Sequence, residues 1–151
     1  MTTPSRHPVA FDFFVEIAVI DQLVGAEMAR ALPDGISMAS FSLLNHLLGK
    51  GGSDSPVRLA QALQVTKGAI TAMLKRLEAR GLVVLSADPR DGRGKIVSLT
   101  PDGLRARNDA VAALDPLLET FLAAFPEPDL AGALPLLKRV RLDLNRRRYG
   151  S

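Results

Sequence analysis

The chain has 151 residues, 47% hydrophobic and 23% charged, a balance that fits one compact domain with its own core and excludes disordered and fibrous classes. It contains no cysteine, so disulfides, a thiol redox switch and a cysteine nucleophile are excluded and a reducing cytosol is the expected compartment. The net charge of +3 is uneven: residues 1–55 carry three Lys/Arg against six Asp/Glu, residues 56–100 eight against three, and residues 101–151 eight against seven.

At the N-terminus Asp12, Glu16 and Asp21 interrupt the apolar pattern, so no signal peptide is expected. Gly35 to Gly49 is uncharged but shorter than the about 20 apolar residues a membrane span needs. A soluble protein with no membrane partner is the expectation. Val9 to Leu32 is apolar on most sides and stops at the breaker "LPDG", which predicts a long helix buried nearly all round. One core of this size cannot cover such a helix, so a partner subunit would bury the remainder.

Ser37 predicts the N-cap of a second helix through Leu48, closed by "GKGGSDS", Gly49 to Ser55, which reads as the most flexible segment. Ser55 then caps a short helix with Pro56 at its first position, and Leu59, Ala60 and Leu63 share one face. Thr66 caps "TKGAITAMLKRLEAR", where Ile70, Met73, Leu74 and Leu77 fall at i, i+3, i+4 and i+7 and form a core stripe. "LVVLS" and "KIVSL" read as antiparallel strands joined by a charged loop. Thr100 and Pro101 cap and start a helix towards Phe125, with a kink or break predicted at Pro116. A last helix, Asp129 to Arg148, is predicted with an interruption near Pro135 and ends in "RRRYG".

Two helices joined by a three-residue turn and followed by a two-stranded ribbon have the order of a winged helix-turn-helix, whose second helix enters the major groove. With the Ile70 stripe inward, Gly68, Thr71, Ala72 and Lys75 face outward, with Arg76 and Lys67 at one flank. Gly68 and Ala72 are small enough for close approach, Thr71 suits a base edge or a thymine methyl, and Lys75 and Arg76 suit guanine or phosphate acceptors. Thr66, Lys67 and Gly68 form a phosphate seat at the helix N-terminus.

Taken singly, Thr66 is first a cap, and Lys75 and Arg76 belong equally to a solvated face. The set as a whole points to duplex DNA. The ribbon loop then has a target in the neighbouring minor groove, with Arg93 as the inserted tip and Arg90 and Lys95 on phosphates. Asp91 either accepts a hydrogen bond from Arg93 and pre-aims it, or tightens the turn.

"TKGAITAMLKRLEARGLV" followed by "DPRDGRGKIVSLTPDG" resembles the MarR family of bacterial and archaeal winged helix-turn-helix transcription regulators, with the wing Asp and Arg at Asp91 and Arg93. The resemblance implies a mainly α fold with a small antiparallel β-hairpin wing, an α+β class. It implies one domain over 1–151, with a DNA-binding lobe at about 37–100 and dimerisation helices at about 8–32 and 101–148. It further implies a homodimer on a near-palindromic operator, acting as a repressor released by a small aromatic or phenolic ligand. Many members carry a basic residue soon after "GLV"; here Val84, Leu85 and Ser86 stand there, so one phosphate contact is absent. Phe11, Phe13, Phe14, Phe121 and Phe125 lie on the terminal helices and are expected to pack the shared core.

Two other classes compete. His7 and His46 are the only histidines, too few and too far apart in sequence for a metal site, and no nucleophile motif organises the serines, so neither an enzyme nor a cofactor is expected. A winged helix that binds protein as an adaptor is the other alternative, disfavoured by the basic balance of residues 56–100.

Overall fold

In a computed structural model that describes residues 4–150, the chain forms α1 (Pro8–Ala31), α2 (Met38–Gly49), β1 (Ser53–Asp54), α3 (Pro56–Leu63), α4 (Lys67–Ala79), β2 (Val83–Asp88), β3 (Asp91–Leu99), α5 (Pro101–Ala124) and α6 (Glu127–Tyr149). The helix starts follow the predicted caps. Ser37 and Ser55 Oγ accept from the N–H groups of Ser40 (3.1 Å) and Arg58 (3.3 Å), and Thr66 and Thr100 Oγ1 from those of Ala69 (3.1 Å) and Gly103 (2.9 Å). Each bond satisfies one of the donors that a helix start leaves without an intrahelical partner.

The sheet has three strands rather than two, in the order β1-β3-β2 and antiparallel throughout. The segment predicted to be the most flexible supplies the third: Ser53 pairs with Ser98 and Asp54 with Val97, and Leu99 N–H donates to the Gly52 carbonyl at 2.8 Å. Local composition hides this pairing because its partner lies more than 40 residues downstream. Asp54 is buried, and its carboxylate accepts from the Ser55 N–H at 2.8 Å and meets His46 Nε2 at 2.9 Å. His46 is thus half-buried on α2 and anchors the edge strand.

The core lies between Leu32 and Leu114. Leu43, Leu44 and Leu47 from α2 meet Leu59 from α3, the stripe Ile70, Met73, Leu74 and Leu77 from α4, Val83 and Val97 from the sheet, and Ala110 and Leu114 from α5. Each fully buried leucine contributes about 1.5–3 kcal/mol relative to exposure. The start of α5 closes on this core so tightly that a Cβ at Gly103 would lie 2.0 Å from the Leu82 carbonyl oxygen and 2.8 Å from Leu99 Cδ1. The last three residues of "TPDG" therefore dock a helix as well as start one.

Within the single chain α1 has no buried residue; Phe11, Phe14 and Leu23 are at least half exposed, the apolar surface that the expected partner subunit would cover. Two expectations for the terminal helices need correction. α5 runs through Pro116 and α6 through Pro135 without a break. Each proline removes one bond to the carbonyl four residues earlier, on Ala112 and Ala131, and both residues are exposed in the single chain. α6 begins at Glu127, two residues before the predicted Asp129, with Pro126 at the N-cap. Among the described residues no helix is long and apolar enough to cross a membrane.

Candidate nucleic-acid interface

The outer surface of α4 is open along its length. Lys67, Gly68, Ala69, Thr71, Ala72, Lys75 and Arg76 are exposed, whereas Ile70, Met73, Leu74 and Leu77 are buried. Thr66 spends its hydroxyl oxygen on the Ala69 N–H, so helix geometry leaves the N–H groups of Lys67 and Gly68 to meet an anion. Nothing of the chain lies within 4 Å of a Cβ built on Gly68, so internal packing does not require glycine there. Thr71 is more constrained than its sequence position shows. Its hydroxyl donates to the Lys67 carbonyl at 2.8 Å, which leaves only its acceptor lone pairs and its methyl group facing outward.

The wing is shorter-looped than predicted. Register runs regularly from Val83↔Leu99 to Ala87↔Lys95 and then jumps to Asp88↔Asp91, so Pro89 and Arg90 form the turn, and Gly92, Arg93 and Gly94 form a bulge in β3. Arg90 thus occupies the tip assigned to Arg93, and Arg93 stands one step back, exposed between two glycines. Two aspartates hold this shape: Asp88 Oδ1 accepts from the Arg90 N–H at 2.9 Å and Asp91 Oδ1 from the Arg93 N–H at 3.1 Å. Of the two roles open to Asp91, it takes the turn-tightening one, through the backbone and not the guanidinium.

Two positioning contacts escaped the sequence reading. Glu78 Oε2 on α4 accepts from the Leu85 N–H on β2 at 2.8 Å, which ties helix to wing. Arg80 at the end of α4 donates to the Gly35 carbonyl in the α1–α2 connection. Neither follows from spacing, because an acidic residue late in a helix reads as solvated until the strand that returns to it is known.

Four of the nineteen Lys/Arg are paired, and the α4 and wing cations are among the fifteen with no carboxylate partner among the described residues. Arg30, Arg105, Arg146 and Arg147 contact carboxylates. Among the described residues Lys67, Lys75, Arg76, Arg90, Arg93 and Lys95 contact none. An exposed α4 face and a bulged wing therefore carry six cations that no carboxylate among the described residues neutralises.

Residues 34–94 match the model of the MarR family. The chain is 31% identical over 109 residues to the transcriptional regulator HosA of Escherichia coli O111:H-, covering 72% of this chain and 79% of that protein. The chain belongs to the MarR family. It is also 46% identical over 52 residues to the multiple antibiotic resistance protein MarR of Salmonella typhimurium, a stretch covering 34% of this chain and only 36% of that protein.

A solved structure of a MarR mutant from E. coli complexed with operator DNA superposes with a TM-score of 0.68 at 27% identity, over 86% of this chain and 96% of that one. The MarR-family match runs from the α1–α2 connection to the wing and includes five of the six cations, with Lys95 one residue beyond it. The three-stranded winged helix seen here is the fold of that family.

Proposed function

We propose that the chain is a sequence-specific DNA-binding transcriptional regulator of the MarR type, acting in the cytoplasm as a homodimer on a near-palindromic operator, and that it is a ligand-responsive repressor rather than an enzyme. The observation that carries the reading is the set of six unpaired cations on α4 and the wing. Unpaired surface cations gain most from phosphates, because binding releases the counterions condensed on the duplex.

In this reading α4 enters the major groove. Thr66, Lys67 and Gly68 seat a phosphate, Thr71 offers its methyl and lone pairs to a base edge, and Lys75 and Arg76 reach guanine or phosphate acceptors. Arg93 enters the adjacent minor groove from its bulge, Arg90 and Lys95 hold the backbone, and Asp91 keeps the bulge closed. The exposed apolar residues of α1, α5 and α6, Phe14, Leu23, Phe121 and Leu144 among them, are the dimer surface. Removing them from water supplies the association free energy. A small aromatic effector would sit in the crevice between the terminal helices and the DNA-binding lobe, where it can favour one spacing of the two lobes over another.

The test is a salt titration of the full chain on random-sequence duplex, read by fluorescence anisotropy. Several phosphate contacts per protomer give a log Kd that climbs steeply with log salt, at about 0.9 per phosphate; a flat response contradicts the reading. Arg93→Ala should weaken binding while leaving the melting temperature unchanged.

A further inference from the structure

The densest positive charge in the chain lies outside the reading lobe. Residues 138–150 hold six Lys/Arg against Asp143 alone, a net +5 within 13 residues. The same net charge is spread over 45 residues in segment 56–100. Part of this charge complements the C-terminal end of the α6 dipole. Asp143 answers another part, accepting from Arg147 at 2.7 Å and lying 3.6 Å from Arg146. One carboxylate cannot neutralise two guanidiniums, and both arginines stay about 70% exposed (68% and 75%). Arg148 lies over the Tyr149 ring at 5.5 Å and has no carboxylate partner among the described residues.

The location of this cluster is set by hydrogen bonds to the helix-turn-helix. Tyr149 Oη donates to Gln64 Oε1 at 3.2 Å, and Gln64 Nε2 donates to Asn145 Oδ1 at 3.0 Å and to its own Gln61 carbonyl at 2.8 Å. Gln64 belongs to the turn between α3 and α4 and has a left-handed φ of +58°, a conformation that disfavours residues with a Cβ. Its side-chain bonds offset that cost and at the same time tie α6 to the turn. The tied residue stands two positions before Thr66, the cap of α4. The end of α6 is therefore held beside the N-terminus that faces the phosphates.

We propose that Arg146, Arg147 and Arg148 form a second phosphate-binding patch that grips the duplex backbone beside the point where α4 enters, with Asn145, Tyr149 and Gln64 as positioning residues. The proposal rests on the DNA-binding reading, and its partner is the same duplex because the patch is pinned to the element that meets it. Guanidiniums held on a rigid helix lose less freedom on binding than the same charges on a loose tail.

The test compares the full-length protein with the triple variants Arg146→Gln/Arg147→Gln/Arg148→Gln and Arg146→Lys/Arg147→Lys/Arg148→Lys, and with Tyr149→Phe and Arg93→Ala. Anisotropy is measured between about 50 and 200 mM salt on two random-sequence duplexes, one just spanning the two heads and one a full turn longer at each end. On the longer duplex the Gln triple should lose about 2–5 from the log–log slope and bind about tenfold more weakly or worse at the upper salt. The Lys triple should keep the slope, since a point charge serves a phosphate, and Tyr149→Phe should fall between. On the shorter duplex the Gln triple should differ less from the unmodified protein. An unchanged slope for the Gln triple, while Arg93→Ala still weakens binding, overturns the patch and leaves the DNA-binding reading intact. A loss shared equally by the Gln and Lys triples assigns the arginines to packing against Asp143 and also overturns it. Absence of binding by the unmodified protein removes the reading on which the patch rests.

Discussion

The lobe between Leu32 and Leu114 and the helices outside it draw on the same apolar residue types and put them to opposite use. Leu44 in α2 is wholly buried, whereas Leu23 in α1 is 63% exposed. Neither α1 nor α6 has a buried residue, yet α1 is rich in Ala, Val and Phe and α6 in Leu. The lobe contains enough buried side chains to hold its shape within one chain. The terminal helices leave much of their apolar surface exposed in the single chain. The difference teaches that hydrophobicity in a sequence marks what must be covered, and periodicity against a known partner decides by whom.

The sharpest way to break this comparison is a cavity in each region. Leu44→Ala should cost about 2–5 kcal/mol, seen as a fall in melting temperature that is the same at every protein concentration. Leu23→Ala should instead give a fall that grows on dilution, because its cost falls on association. Equal concentration dependence for the two would dissolve the distinction. Next in size, Gly103→Ala forces a Cβ against the Leu82 carbonyl and should cost about 1–3 kcal/mol or more, measured by chemical denaturation; a neutral result would mean that α5 docks less tightly on the lobe than described.

Smaller effects sharpen the account inside the lobe. Glu78→Ala removes the acceptor of the Leu85 N–H and should cost about 1 kcal/mol while speeding amide exchange in the wing; protected exchange at Leu85 would show that the helix–wing tie is dispensable. Smallest in stability is Gly68→Ala, which meets no atom of the chain and should gain up to about 1 kcal/mol in helix stability yet weaken DNA binding. A variant that is both more stable and equally tight on the duplex would remove Gly68 from the contact surface.

Much of the lobe was legible because its signals are local. Ser37, Ser55, Thr66 and Thr100 announce helix starts through side chains that bond three residues ahead, and the α4 stripe reads directly as one buried face. What stayed hidden depends on distant partners. β1 exists because Ser53 and Asp54 meet Ser98 and Val97, and the Gly49–Ser55 composition alone reads as loop. Arg93 was placed at the tip because turn residues do not reveal a bulge; only the strand register does. Pro116 and Pro135 pass through helices where the residues four earlier, Ala112 and Ala131, are exposed in the single chain, a fact about exposure that no proline carries in its name. The cluster at the end of α6 was visible as composition, but its tie to Gln64 spans more than 80 residues of sequence.

Two reading heads held in one particle should sit at the spacing of a duplex turn. Since the chain has no cysteine, an Ala79→Cys variant carries one spin label per protomer at the exposed end of α4, and dipolar spectroscopy then reads the distance between the two heads. On bound duplex the account expects a single distance near one helical turn, about 34 Å widened by the length of the label. A sample with no label pair, or one whose heads lie at a distance no duplex turn can match, contradicts it.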